Sequence, residues 1–233
     1  MKPRVICHMV SSIDGRILPS RWRPKGHDGG GLFERLHDQL DGDAWIIGRV
    51  TGSEFAKAES YPDKPARTYP REAWFVKRDA EVYGVALDAH GKIAWGRADI
   101  GGDPIVVALT QKVSDAHVAG LRADGVSYFF AGEEELDLGL IVDTLQRELG
   151  VKRLLIEGGG TANGEFLRAG LLDEISLAIV PAVDGAQGAP IVFDSRPELQ
   201  DGRAPLAAMT LVSCEQLDGG AVWLRYTLRN ERP

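Results

Sequence analysis

The alternation of strand-like and helix-like segments is the feature that most constrains the fold of this chain. Arg4–Val10 and Asp43–Gly48 are short apolar runs typical of strands, and Gly31–Leu40 between them carries a leucine at every fourth position, which predicts a helix. Further strands are predicted at Pro104–Leu109, Val126–Ala131, Lys152–Glu157 and Asp173–Val183. This order predicts an α/β fold, with a mostly parallel central sheet and helices on both of its faces.

The clearest helix is predicted at Leu138–Leu149. Its apolar residues recur at i, i+3, i+4, i+7 and i+11, and Gly150 follows where a helix C-cap is expected. Another helix is predicted to begin near Ser114, with Asp115 in its first turn.

The tail departs from this alternation. Ala207–Leu228 contains two strand-like runs around Asp218-Gly219-Gly220, which predicts a C-terminal antiparallel hairpin. A second hairpin is predicted at Val82–Trp95, with His90-Gly91 near its turn. No repeat or linker divides the sequence, so we expect a single domain over residues 1–233.

Composition excludes several classes of protein. A formal net charge of −7 argues against a nucleic-acid surface, because binding there requires Lys and Arg to neutralise phosphates. No apolar segment approaches the length of a membrane span. Cys7 and Cys214 lie in strand-like runs without metal-site spacing, so we expect two buried free thiols, no metal site and a cytoplasmic location.

Gly158-Gly159-Gly160 follows one predicted strand and precedes a predicted helix from Thr161 onward. A tight turn without a ligand is one interpretation of this stretch. A Rossmann fingerprint has a different spacing, and a Walker loop needs a Gly-Lys-Ser/Thr sequence that is absent. The remaining interpretation is an anion site, in which glycines admit a phosphate to the backbone amides of the helix.

Two other predicted strands end beside donors or cations. Gly48 and Arg49 follow Asp43–Gly48, and Thr51 is expected to open and N-cap a helix. Thr110 ends another strand, with Lys112 close behind it. Because ligands of open α/β sheets bind at the carboxyl ends of the strands, we expect these ends to converge on a phosphorylated ligand.

The order strand–GRVT–helix, strand–LTQK, strand–GGG–helix resembles the nucleotide-binding half of the dihydrofolate reductase fold, a three-layer arrangement. SSIDGRI and IEGGGTANGEFLRAGLLDEI resemble the reductase domain of the bifunctional riboflavin-biosynthesis deaminase-reductase and its stand-alone relatives. The resemblance spans essentially the whole chain and is strong in these motifs. The zinc signature of the deaminase half is absent.

The resemblance implies a set of cofactor-binding residues for NADPH. Arg49 would bind the 2′-phosphate, and the glycine turn would bind the pyrophosphate. The complete set is Gly48, Arg49, Thr51, Thr110, Lys112, Gly158, Gly159, Gly160, Thr161 and Ala162.

On the substrate side, the resemblance implies that Glu157 accepts hydrogen bonds from the N–H groups of a pyrimidine. From the residues alone, a solvated acid at the strand end is an equal interpretation of Glu157. Ser12 and Asp14 match the family turn beside the nicotinamide and substrate, and Lys25 is a candidate for the sugar phosphate, as are Arg23 and Arg67. Gln39 stands near the place of a family arginine.

Asp14 and His27 are the candidate proton donors of catalysis. His8 is expected in the core, and the other histidines are expected to be exposed or helical.

The implied reaction is reduction of the ribosyl group of a 5-phosphoribosylaminopyrimidine to ribityl, by hydride transfer to C1′, in a homodimer. A close relative with a different pyrimidine or pterin substrate is also compatible. The alternatives are dihydrofolate reductase, for which Glu34 or Asp38 would supply the acid, and a non-catalytic nucleotide-binding protein.

Overall fold

The structure is a computed structural model that describes residues 2–26, 31–64, 67–195 and 203–231. The chain forms two compact units. The middle unit is built mainly from Asp43–Lys152, and the terminal unit is built from Arg4–Gly42 and Arg153–Pro233. The single domain expected from the sequence stays a prediction.

The strands of the middle unit are mainly parallel, as predicted. Its neighbouring parallel strands, in spatial order, are β2 (Ala44–Gly48), β3 (Tyr83–Leu87), β5 (Asp103–Leu109) and β6 (Ser127–Phe130). The two-residue strand β4 (Asp99–Ile100) pairs antiparallel with the start of β5. These strands are apolar and almost wholly buried, which is typical of parallel sheets.

The helices of the middle unit are α2 (Arg49–Phe55), α3 (Asp115–Ala123) and α4 (Leu138–Leu149). Helix α3 begins beside Ser114, as predicted, and the Ser114 hydroxyl caps it by accepting a hydrogen bond from the amide of His117. Gly150 ends α4 with φ 73°, which confirms the predicted C-cap. The predicted N-cap at Thr51 is wrong, because α2 begins at Arg49 and its N-cap is Gly48.

The terminal unit contains β7 (Arg153–Ile156), β1 (Arg4–Ser11), β8 (Glu174–Ile179), β10 (Val222–Asn230) and β9 (Leu206–Gln216), in that spatial order. Strands β7, β1 and β8 are parallel, whereas β10 is antiparallel to both β8 and β9. The helices are α1 (Leu32–Leu40) and α5 (Gly160–Arg168). The C-terminal antiparallel hairpin is therefore confirmed as β9–β10.

The second predicted hairpin, at Val82–Trp95, is wrong. Strand β3 pairs in parallel with β2 on one edge and β5 on the other, so no edge is left for a hairpin partner. The chain instead turns at Asp88, whose buried carboxylate accepts the amides of Lys92 and Ile93 at 2.7–2.8 Å. These bonds close a loop that carries Ile93 and Trp95 into the core.

The two cysteines differ in burial. Cys7 on β1 is buried, and burial raises the pKa of its thiol well above the usual range. The expectation of a second buried thiol is wrong, because Cys214 lies on β9, where most residues are exposed. Within the described ranges, no helix is long and apolar enough to cross a membrane.

Glu174 ties three strands of the terminal unit together. Its carboxylate is fully buried and accepts from Nε of Arg225 on β10 at 2.6 Å and from the guanidinium of Arg4 on β1. A buried carboxylate is tolerated when it is paired in this way.

We expect Glu174→Ala to lower the free energy of unfolding by about 1.5–3 kcal/mol, because bonds to charged groups are lost from a buried site. Urea unfolding followed by circular dichroism measures this change. Glu215→Ala, on the exposed strand β9, is the control and should cost less than about 0.5 kcal/mol. Equal losses in both variants would show that Glu174 does not stabilise the strands.

Candidate active site

The turn after β7 combines a carboxylate with glycine backbone. Glu157 follows the last residue of the strand, and Gly159 is the N-cap of α5 with φ 63° and ψ 145°, a conformation that only glycine adopts readily. No side chain caps this helix, and the first amides of a helix have no acceptor within it. The amides from Gly160 to Ala162 therefore form a potential anion site.

Close packing explains why positions 160 and 164 are also glycine. A Cβ added there would lie 2.2 Å from the carbonyl oxygen of Ile191, and one added at Gly164 would lie 1.8 Å from that of Asp194. The amide of Asp194 donates to the carbonyl of Gly160 at 2.9 Å, and Asn163 Nδ2 donates to Val192 at 2.8 Å. This face of α5 is thus filled by residues 191–194, whereas the amides of its first turn have no side-chain cap.

Glu157 is buried and paired, so the interpretation as a solvated acid is wrong. Its side chain is 5% exposed, and Nδ1 of His37 lies 2.7 Å from Oε1. His37 lies on α1, and its own side chain is 24% exposed. Its neighbour Gln39, which stands near the place of the family arginine, is exposed.

His8 lies beside this pair in the core, as expected. Its Nε2 is 3.1 Å from the carbonyl of Phe33, and its Nδ1 is 3.2 Å from the hydroxyl of Ser176, which also accepts from Nε1 of Trp223. Burial lowers the pKa of His8, and the nearby Glu157 carboxylate opposes this shift only in part. His8 is therefore a neutral, hydrogen-bonded residue.

Ser12 and Asp14 form a tight turn after β1. The Ser12 hydroxyl donates to Oδ1 of Asp14 at 2.6 Å, and the amides of Asp184 and Gly185 donate to the same carboxylate at 3.1 and 2.9 Å. These bonds, led by that of Ser12, lower the pKa of Asp14 to about 2. A carboxylate with this pKa is ionised at neutral pH and does not supply a proton.

Two more candidates of the terminal unit, Arg23 and Lys25, lie in the segment after this turn. The Lys25 ammonium is exposed and donates to the carbonyl of Ser20 at 2.8 Å. The guanidinium of Arg23 donates back to the carbonyls of Arg21 and Trp22. His27 lies outside the described residues.

Four candidates of the middle unit lie at or just after the ends of β2 and β5, two strands that are separated by β3. Gly48 ends β2, the Arg49 side chain is exposed, and Thr51 lies within α2. The Thr110 hydroxyl donates to the carbonyl of Ala89 at 2.5 Å.

The remaining candidates are also in the middle unit. Lys112 forms an exposed ion pair with Glu134 at 3.0 Å. The loop residue Arg67 donates from Nε to the Tyr69 hydroxyl at 2.8 Å. The described residues hold no group of His, Cys, Asp and Glu suited to a metal ion.

Sequence reasoning missed His37 as a site residue. It was placed among the exposed or helical histidines, because its partner Glu157 is 120 positions away. The sequence indicates only that His37, four residues after Phe33, lies on the same side of the helix as Phe33.

Comparison with known proteins identifies the family. The family model described as RibD C-terminal domain matches residues 3–223. The chain belongs to this family. A relative from Archaeoglobus fulgidus, named 2,5-diamino-6-ribosylamino-4(3H)-pyrimidinone 5′-phosphate reductase, is 36% identical over 212 residues, which are 87% of this chain and 91% of the relative.

Relatives of the same name from Aquifex aeolicus and Methanothermobacter thermautotrophicus are 30% and 33% identical over 87 and 91 residues. These alignments cover 37% and 39% of this chain, and only 38% and 41% of the relatives' own lengths.

Solved structures share the fold of this chain. A pyrimidine reductase-like protein from Corynebacterium diphtheriae has a TM-score of 0.70 at 17% identity and covers 98% of this chain and 93% of its own. RibD from Acinetobacter baumannii has a TM-score of 0.64 at 21% identity, covering 98% of this chain and 58% of its own. These likenesses confirm the predicted fold class.

The bonded Asp14 carboxylate gives a test by pH. Because its pKa lies below the ordinary value of 3.8, its stabilising effect is full above pH 4 and is lost as the pH falls towards 2. We expect Asp14→Asn to lower the free energy of unfolding at pH 7, and the difference from wild type to shrink between pH 4 and pH 2. Denaturant titrations across this range measure it. A difference independent of pH would contradict the assigned hydrogen bonds.

Proposed function

We propose that this chain is an NADPH-dependent reductase that converts the ribosyl group of a 5-phosphoribosylaminopyrimidine to ribityl. The observation that carries the proposal is the end of β7, where a buried carboxylate and an uncapped helix N-terminus follow one another in the chain. A carboxylate suits the N–H groups of a pyrimidine, and free helix amides suit a pyrophosphate. Membership of the RibD C-terminal domain family supports the same reaction class.

The residues of the turn fit a dinucleotide pyrophosphate. The amides of Gly160, Thr161 and Ala162 lie at the positive end of α5, and Gly158 and Gly159 bring no side chain that would keep an anion away. Thr161 is exposed, so its hydroxyl is accessible as a further donor.

The middle unit offers a guanidinium for the 2′-phosphate of NADPH. The Arg49 side chain is exposed, and its guanidinium has no hydrogen-bond or ion-pair partner among the residues that the structure describes; only its backbone carbonyl is engaged, by the Ser53 hydroxyl. The planar guanidinium group presents several N–H donors that can bind two phosphate oxygens at once, which the ammonium group of a lysine does less well. Gly48 and Thr51 flank it, whereas Thr110 already donates to Ala89 and holds its loop.

Lys112 is a weaker candidate than Arg49 for binding a phosphate of the cofactor. Its ion pair with Glu134 is exposed and worth at most about 1 kcal/mol, so a phosphate can displace it.

When bound, NADPH supplies the hydride that reduces C1′ of the sugar. The protein's part is to hold the acceptor and to exclude water from it. Glu157 accepts hydrogen bonds from the pyrimidine, Ser12 and Asp14 shape the turn beside it, and Lys25 has the reach and charge for a sugar phosphate. With Asp14 ionised, His27 stays the predicted proton donor.

Dihydrofolate reductase activity is less well supported. It would need Glu34 or Asp38 to face a pterin from α1, and both residues are exposed. The residues of this helix that contact His8 and Glu157 are instead Phe33 and His37, which are partly buried. A non-catalytic protein would have no evident use for the buried carboxylate of Glu157. A cytoplasmic location and the absence of nucleic-acid partners stay predictions.

A direct assay decides between these functions. Purified protein is mixed with NADPH and either the ribosylaminopyrimidine phosphate or dihydrofolate, and absorbance at 340 nm is followed. The proposal requires NADPH oxidation with the pyrimidine and little with dihydrofolate. NADPH binding without oxidation in either mixture would favour the non-catalytic alternative.

Arg49 is tested through cofactor preference. We expect Arg49→Ala to reduce the preference for NADPH over NADH by roughly 1–3 kcal/mol, because a charge-assisted contact to the 2′-phosphate is lost. Dissociation constants from NAD(P)H fluorescence measure this ratio. Arg147→Ala, which removes another exposed arginine of the middle unit, is the control. An unchanged ratio in the Arg49 variant would remove Arg49 from the cofactor site.

A homodimer through β9 is part of the proposal. This strand exposes Met209, Leu211 and Val212, each about half accessible, and exposed apolar edges of sheets are usually covered. We expect light scattering to give the mass of two chains for wild type and of one chain for Leu211→Glu. Val76→Glu, at an equally exposed position of the middle unit, should stay dimeric. A monomeric wild type would contradict this assembly.

A further inference from the structure

The Glu157 carboxylate has fewer donors than the other buried carboxylates of the protein. Asp88 accepts three hydrogen bonds from the amides of Lys92 and Ile93, and Glu174 accepts from two guanidinium groups. Within the described part of the chain, Glu157 accepts one bond, from His37. An ionised carboxylate has about four acceptor positions, and burial makes unfilled ones costly. The carboxylate therefore has room for a ligand's donors.

The tautomer of His37 follows from its partner. An ionised carboxylate can only accept, so Nδ1 of His37 carries the proton and donates to Oε1 of Glu157 at 2.7 Å. This bond fixes one carboxylate oxygen and leaves Oε2 without a donor among the described residues.

A separate contact fixes the helix that carries His37. The carbonyl of Phe33 can only accept, so Nε2 of His8 donates to it, and the two rings lie 4.7 Å apart between centroids. Phe33 and His37 are four residues apart on one side of α1. The pairing of Cys7 with Ile156 sets His8 beside Glu157 on neighbouring parallel strands. His37 therefore reaches Glu157 from a helix already held against β1.

We propose that His37 is a positioning residue for the pyrimidine substrate. Its Nδ1–H holds Oε1 and turns Oε2 towards the substrate, where it accepts from a ring or amino N–H. This proposal rests on the proposed function. It adds to that function the residue that orients the Glu157 carboxylate for hydrogen bonding to the pyrimidine.

Three variants test the assignment. His37→Leu removes the donor, and His37→Asn restores an N–H close to the place of Nδ1. His90→Leu removes an exposed histidine of the middle unit and is the control. We expect His37→Leu to raise KM for the ribosylaminopyrimidine phosphate about 10- to 100-fold, the effect of one lost charge-assisted bond, with the Kd for NADPH within about twofold of wild type. His37→Asn should recover most of the loss, and His90→Leu should behave as wild type.

Several outcomes overturn the proposal. An unchanged KM in His37→Leu, an equal loss in His37→Asn, or a parallel loss of NADPH affinity would each show that His37 only supports the fold. Thermal unfolding of all variants checks that they are folded.

Failure of the proposed function gives a different result. A wild-type protein that neither binds nor reduces the pyrimidine phosphate would overturn that function and the substrate role of His37 together. The ¹⁵N shifts of the His37 ring then test the pair alone. Nδ1 should be protonated in wild type and lose this preference in Glu157→Ala, and identical shifts in both would disprove the hydrogen bond.

Discussion

The carboxylate buried at the end of β7 requires hydrogen-bond donors, because burying a polar group without partners costs free energy. His37 supplies one to Glu157 from α1, and the bond of His8 to the carbonyl of Phe33 holds that helix in place. The interaction therefore links α1, β1 and β7 of the terminal unit, at the position where the chain turns into glycine. Among the described residues Glu157 has one donor, fewer than the structural carboxylates of Asp88 and Glu174, which is why we connect it with ligand binding.

The glycines after Glu157 serve two separate purposes. Gly159 adopts a backbone conformation that other residues avoid, and the first turn of α5 that follows it has no side-chain cap. Gly160 and Gly164 instead admit the backbone of residues 191–194 against the side of the helix. The glycine face of α5 is therefore filled by the chain itself. The ligand-free interpretation accounts for Gly160 and Gly164, and an anion site at the first turn of α5 stays a proposal.

Local patterns predicted most of the fold. The periodicity of Leu138–Leu149, the glycine that ends it and the C-terminal hairpin each depend on neighbouring residues, and all three are present. The hairpin at Val82–Trp95 failed because the pairing of β3 with β2 and β5 is not encoded nearby. The contact between His37 and Glu157 could not be predicted for the same reason, because the two residues are distant in the chain and no local spacing indicates the pair. The residues around Glu157 were found by family motif, whereas the donor that orients it required the structure.

The central claim is that the end of β7 binds both reactants. The α5 amides bind the pyrophosphate of NADPH, and the Glu157 carboxylate binds the pyrimidine. A crystal structure with NADPH and the ribosylaminopyrimidine phosphate tests it most directly. The account predicts pyrophosphate oxygens about 3 Å from the amides of Gly160–Ala162, and a pyrimidine N–H donating to Oε2 of Glu157 while His37 keeps Oε1. Well-ordered ligands that leave both the amides and the carboxylate without contact would contradict it.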